Sequence, residues 1–190
     1  MKITLPDNST RELPEGSSGY DLAKDIGPGL AKSAVAVIVD GEQKDLHDVI
    51  EGDSLISIIT IDSDNGLEIM RHTLTAQVLA SALKNIYPNA RLAIGPTIDD
   101  GFYYDVESEV SISIDDLQKI ENEMKKIIST KSNITKKLSN KKDSLKVFKD
   151  LDEPYKEAII NESDQEDNFQ LYYQDNDIFV DLCKGPHLPN

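Results

Sequence analysis

"SAVAVIVDGEQKDL", residues 33–46, decides the fold of the first third of the chain. Ala34 to Val39 form an unbroken apolar run rich in β-branched valine and isoleucine, the composition of a buried strand. Asp40-Gly41 follows, a pair that favours the tight turn joining two antiparallel strands, and "EQKDL" (42–46) returns as the partner. Working outward, "KITL" (2–5) is a strand, "PDNS" (6–9) has turn chemistry and "TREL" (10–13) is its hairpin partner. "GYDLAKDIG" (19–27) spaces Leu22, Ala23 and Ile26 as a short helix, with Gly27 as its stop. "HDVIEGDSLISIIT" (47–60) supplies another turn and a closing strand. The order ββαβββ, one helix over a small mixed sheet, predicts a ubiquitin-like β-grasp unit over residues 1–61.

The polar stretch "DSDNG" (62–66) reads as a linker, in which Asp64 or Asn65 can cap the next helix and Glu68 favours its first turn. That helix is expected to end at Tyr87, because Pro88 cannot continue it. Its buried face is Ala76, Leu79, Ala80, Leu83 and Ile86. "RLAIGPTIDDGFYYDVE" (91–107) reads as strand, two turns and strand, and "SIDDLQKIENEMKKIISTK" (113–131) as an amphipathic helix started by Ser113 or the acids behind it. A Lys-rich strand or loop, a helical "DSLKVFKDL" (143–151) and two strands around a polar turn in "NFQLYYQDNDIFVDLC" (168–183) complete residues 67–190. The fold class is α+β, the second domain having a long helix packed on a mostly antiparallel sheet.

Composition narrows the function. The net charge of −15 argues against non-specific nucleic-acid binding. It is unevenly spread: residues 125–149 hold nine lysines and one acid. That run reads as a solvated face or as a local contact to an RNA backbone. A single cysteine, Cys183, excludes internal disulfides and any zinc site built on two or more cysteines. No apolar run approaches the length needed to span a bilayer, and the start lacks the apolar core of a signal peptide, so a cytoplasmic location and no membrane partner are expected.

Chemistry concentrates in two places. His72 opens the long helix in "RHTLTAQVLA" (71–80), and the chain closes on "DLCKGPHLPN" (181–190), where Gly185-Pro186 predicts a turn bringing Cys183 and His187 together after a strand. A histidine there suits general acid–base work near neutral pH, and Asp181 can fix its tautomer. His47 is assigned a structural role.

The ordered set "ITLPDNS" (3–9), "DIGPGLAKSAVA" (25–36), "LEIMRH" (67–72), "LAIGPTIDDGFYYDV" (92–106), "YK" (155–156) and "DLCKGPHLPN" resembles the N-terminal region of bacterial-type threonyl-tRNA synthetases. The resemblance implies a TGS domain of β-grasp fold, then an editing domain, C-terminally truncated, that hydrolyses seryl-tRNA(Thr). It implies tRNA(Thr) mischarged with serine and the remainder of the synthetase as partners, with a homodimer only for the full-length enzyme. No cofactor is expected in this fragment, and no metal, because a zinc site of the HxxxH…CxxxH kind would have at most three good ligands here; by the resemblance ATP, Mg and a catalytic-core Zn go with the missing part, and the fragment alone is not expected to charge tRNA. By the same resemblance His72, Lys156, Cys183, His187 and Gln77 are the catalytic candidates, and Tyr104, Tyr172, Asp181 and Thr73 the substrate-binding ones. Two other readings keep the fold: a non-catalytic module docking tRNA or the synthetase core, and a free-standing trans-editing protein.

One departure matters. The family pattern resembles R-H-S-x-A-H-L-L, with two histidines four apart, whereas "RHTLTAQVLA" is one residue longer. Anchored on His72, Ala76 takes the second histidine's place; anchored downstream, Gln77 takes it and Thr73 the first. Residues four apart lie about 40° apart around a helix and residues five apart about 140°. His72 and Gln77 therefore share a face only if a π-bulge absorbs the extra residue, a distortion frequent at functional sites.

Overall fold

A computed structural model describes residues 1–175 and 178–190. The chain divides into two compact units, one of residues 1–70 with 185–189, the other of residues 71–184 with Asn190. The boundary falls at Met70/Arg71 and not in the polar 62–66 stretch. The physical reason is Ile69, which is buried against Val35, Ala36 and Ile59, with Leu188 packed on the same cluster.

The first unit is one five-stranded sheet in the order β2–β1–β5–β3–β4, formed by β1 (Lys2–Thr4), β2 (Thr10–Glu12), β3 (Ala34–Val39), β4 (Glu42–Asp45) and β5 (Ser54–Thr60). β1 runs parallel to β5 and the other pairings are antiparallel, the mixed sheet of a β-grasp unit. Asp40 (φ 51°) and Gly41 (φ 94°) both lie in the left-handed region, as the tight β3–β4 turn requires. β3 is apolar throughout because both of its faces are covered. Val37 and Val39 join Ile3, Leu22 and Ile56 on one side, while Val35 and Ala36 face Ile59 and Ile69 on the other. A register shift between Ala34 and Ala36 in the pairing with β5 lets these two consecutive residues share a side.

Helix α1 (Gly19–Ile26) covers the first face. Ser18 caps it in a reciprocal box: its hydroxyl accepts from the Asp21 N–H, and the Asp21 carboxylate accepts from the Ser18 N–H. Gly27 ends α1 as expected. Pro28 then occupies the first turn of a further short helix, α2 (Pro28–Ser33), an element that the spacing of "GLAKS" does not predict.

The long helix is interrupted: α3 (Asp64–Thr73) gives way to a π-helical segment, Leu74–Leu79, and then to α4 (Ala80–Ile86). Two antiparallel ribbons follow, β6 (Arg91–Leu92) with β9 (Val106–Glu107) and β7 (Thr97–Ile98) with β8 (Gly101–Phe102). Of the two expected starts, Ser113 is the one used: it forms a capping box with Asp116 and opens a 3₁₀ turn that leads into α5 (Leu117–Thr130). The Lys-rich stretch is an edge strand, β10 (Ile134–Ser139), paired antiparallel to β11 (Phe169–Gln174), itself antiparallel to β12 (Phe179–Leu182). Two helices lie between β10 and β11 in sequence: α6 (Lys141–Asp150) and α7 (Pro154–Glu162). Part of the polar turn expected between β11 and β12, residues 176–177, lies outside the described residues. The core is split: Ala80, Leu83, Leu92, Ile120 and Phe179 form one cluster, and Phe148, Ile160, Phe169 and Leu171 another. No helix among the described residues is long and apolar enough to cross a membrane.

Candidate functional site

The second unit holds a cleft of about 600 Å³, walled by His72 and Ala76 from the interrupted helix, Gly95 and Tyr104 from the ribbons, Lys156 and Ile159 from α7, and Asp181 and Cys183 from β12 and the residue beyond. Pro154 starts α7 at a helical N-terminus, and the turn it opens places Lys156 inward. The Lys156 Nζ lies 2.7 Å from Asp181 Oδ1, and the two side chains are only 4% and 3% exposed. Two further donors converge on this carboxylate. The Leu182 N–H donates to Oδ1 at 2.8 Å, and the Tyr104 hydroxyl to Oδ2 at 3.2 Å. The Tyr104 oxygen in turn accepts from Lys156 Nζ at 3.1 Å, closing a three-residue network.

Burial pushes the Asp181 carboxyl up, against the opposing pull of the Lys156 ammonium, the Leu182 N–H and the Tyr104 hydroxyl. The same burial, with Asp181 beside it, drives the Tyr104 phenol far above its ordinary range. Tyr104 is therefore a neutral donor at any working pH. A charged pair in so dry a wall gives strong, fixed electrostatics, the property that a site stabilising developing charge needs. On the helix side, the His72 Nε2 lies 2.8 Å from Cys183 Sγ. An imidazole and a thiol at that distance can exchange a proton.

The π-helical segment decides which residues the helix offers. His72 and Ala76 reach the cleft, so the second position on this wall is a methyl group. Gln77 does not reach it: its side chain is fully buried elsewhere, within 3.3 Å of Gln174 Nε2, which also donates to the Gln77 carbonyl at 2.8 Å. The anchoring on His72 thus describes this helix, and a wide turn is present, yet it carries Gln77 away from the cleft. Thr73 is likewise buried and off the cleft wall. Thr75, unremarked in the sequence, donates its hydroxyl to the Tyr103 carbonyl at 3.0 Å and braces the segment. Gly95 is needed opposite, because a Cβ there would collide with the Tyr104 ring and the Thr75 hydroxyl.

Tyr172 sits opposite Asp181 in the β11–β12 register but is buried, its hydroxyl bonded to Gln170 at 3.2 Å, and it does not wall the cleft. His187 falls in the first unit, where its backbone N–H donates to Asp45 at 2.9 Å and the residue is 2% exposed. Sequence reasoning also missed Glu153. This buried acid binds Lys84 Nζ at 2.7 Å and accepts the Leu92 N–H at 2.8 Å, tying the β6 ribbon to the start of α7. The one signal was an acid directly before the helix-starting Pro154.

Residues 1–60 match the TGS domain family. The first unit is a TGS domain of β-grasp fold. Over its whole length the chain is also 44% identical to the threonine–tRNA ligase of Paramagnetospirillum magneticum. It is 42% identical to that of Acetivibrio thermocellus over 99% of the chain, and 42% identical to that of Paracidovorax citrulli over all of it. The chain spans about 30% of the length of these relatives, and the match is to their N-terminal part.

Proposed function

We propose that this chain is the N-terminal region of a threonine–tRNA ligase and that its second unit hydrolyses seryl-tRNA(Thr). Serine lacks one methyl group of threonine, and a missing methyl changes pocket binding by only about 1–3 kcal/mol, the limit for which aminoacyl-tRNA synthetases are the standard illustration. A second, hydrolytic site removes what the first admits. The observation that carries the reading is that five of the residues selected by family resemblance, His72, Tyr104, Lys156, Asp181 and Cys183, wall one cleft. In the proposed reaction Asp181 receives the substrate's ammonium group, and Lys156 with Tyr104 stabilises the oxyanion of the attacked ester. His72, beside Cys183, accepts the proton of the attacking water. Incubation with seryl-tRNA(Thr) tests this: ester loss well above the buffer rate is expected, abolished by Lys156→Ala, and a rate equal to buffer would remove the hydrolase.

A second reading is a docking module without hydrolysis. It is favoured by one observation, that Ala76 presents a methyl group on the cleft wall while Gln77 is buried away from it. It predicts tRNA binding with no ester loss.

A further inference from the structure

With 35 acids to 20 bases in the chain, several lysines of the second unit are held by carboxylates. Lys84 pairs with Glu153, Lys125 with Glu121, Lys126 with Glu123, Lys141 with Glu166 and Lys156 with Asp181. Helix α6 groups three lysines without such a pair on one face. Lys142, Lys146 and Lys149 recur at the four- and three-residue spacing of a single helix face, all are exposed, and none has an ion pair among the described residues. The opposite face of α6 carries Ser144 and Phe148, both fully buried, so the phase of the helix is fixed and the lysine row must face outward. The acids near this face are Glu157 and Glu166, which line the same groove, Asp143, whose carboxylate is held at the helix start by Asn140, and the exposed Asp150, one turn after Lys146.

The position of the row is as informative as its charge. Lys141, the first residue of α6, donates from Nζ to the Ser163 carbonyl at 2.7 Å, and its N–H donates to the Glu166 carbonyl at 2.8 Å. Ser163 and Gln165 are cleft-wall residues, so α6 starts at the rim of the cleft. At about 1.5 Å of rise per residue, Lys142 to Lys149 cover roughly 10 Å. Lysine stems and mobile ammonium groups suit a phosphate backbone, which must be held in place without being read.

We infer that the α6 face binds the phosphate backbone of an RNA whose 3′ end enters the cleft. The inference deepens the reading of the preceding section and rests on it for the identity of the RNA. The binding itself needs no hydrolysis. Each lysine–phosphate pair steepens the fall of log affinity with log salt by about 0.7–0.9, through the counterions it releases.

The test is binding of deacylated tRNA(Thr) to the full chain between 50 and 200 mM salt, for the wild type and for Lys142→Gln/Lys146→Gln/Lys149→Gln. With three ammonium groups removed, the variant should lose roughly 20- to 40-fold less affinity than the wild type across that range. A control, Lys125→Gln/Lys126→Gln, removes paired charges and should keep nearly the wild-type slope. Equal slopes for wild type and triple variant would overturn the inference, and so would an equal slope change in the control or wild-type chain that binds no RNA. If the triple variant shows the expected change while no chain hydrolyses seryl-tRNA(Thr), the surface stands and the hydrolase reading falls.

Discussion

The two units bury very different material. The TGS domain closes one sheet between apolar layers; the second unit divides its core and fills the space between with polar groups. Of eleven buried polar or charged residues among those described, nine lie in the second unit: Thr73, Thr75, Gln77, Ser81, Ser144, Glu153, Lys156, Gln174 and Asp181. That concentration marks where stability has been exchanged for a site, since a buried charge costs free energy unless every neighbour is in place.

The comparison is sharpest at the Lys156–Asp181 pair. Lys156→Met leaves a fully buried carboxylate without its counter-ion and should destabilise the second unit by about 3–5 kcal/mol. Lys156→Met/Asp181→Leu, with no charge left to strand, should lie much closer to the wild type. Urea unfolding of the three chains measures both, and equal losses in the single and double variants would show that the pair acts by packing alone. Its counterpart in the first unit is Ile56→Ala on β5, at a fully buried position. A loss of about 2–5 kcal/mol is expected, read as faster hydrogen exchange of the β3 and β5 amides.

The units should also respond oppositely to acid. The Asp181 carboxyl is raised by burial, so its contribution to stability is full below the unfolded value of 3.8 and is lost as pH rises through the folded value. The Asp21 carboxyl is lowered by the Ser18 N–H and hydroxyl, so its contribution is present above 3.8 and is lost as pH falls through the folded value. Asp181→Asn should flatten the first dependence and Asp21→Asn the second, each read by thermal unfolding across the acid range; slopes unchanged by the substitutions would refute the assignment.

The smallest effect is the most diagnostic. A π turn holds one residue more than an α turn, so deleting Gln77 should leave α3 and α4 in phase and the chain folded. It also removes the buried Gln77 Nε2, which has no hydrogen-bond partner among the described residues. Deleting Ala82 from regular α4 rotates the following residues by about 100° and should prevent folding. Circular dichroism of the two deletions decides whether the wide turn is an absorbed insertion.

Much of this was legible in the residues. The apolar run 34–39, the Asp40-Gly41 turn and the helix start at Ser113 act through neighbours a few positions away, so local spacing reports them, whereas the Ser18 cap was not read. Helix α2 escaped because Gly27 reads as a stop, although it both ends one helix and precedes the next. The cleft was legible in part. Tyr104, Lys156, Asp181 and Cys183 came from resemblance in their quoted stretches, whereas Glu153, Thr75 and Gln174 carry no motif and act through partners at least 28 residues away.

By itself the sequence determined that residues 1–61 make a β-grasp sheet and that an extra residue follows His72. Only the tertiary structure decided where that residue goes. Helical periodicity cannot distinguish Ala76 from Gln77 at the cleft, because either follows from the same letters with a different turn width. The choice is made by Gln174, 97 residues away on β11, which donates to the Gln77 carbonyl inside the core and leaves Ala76 beside His72.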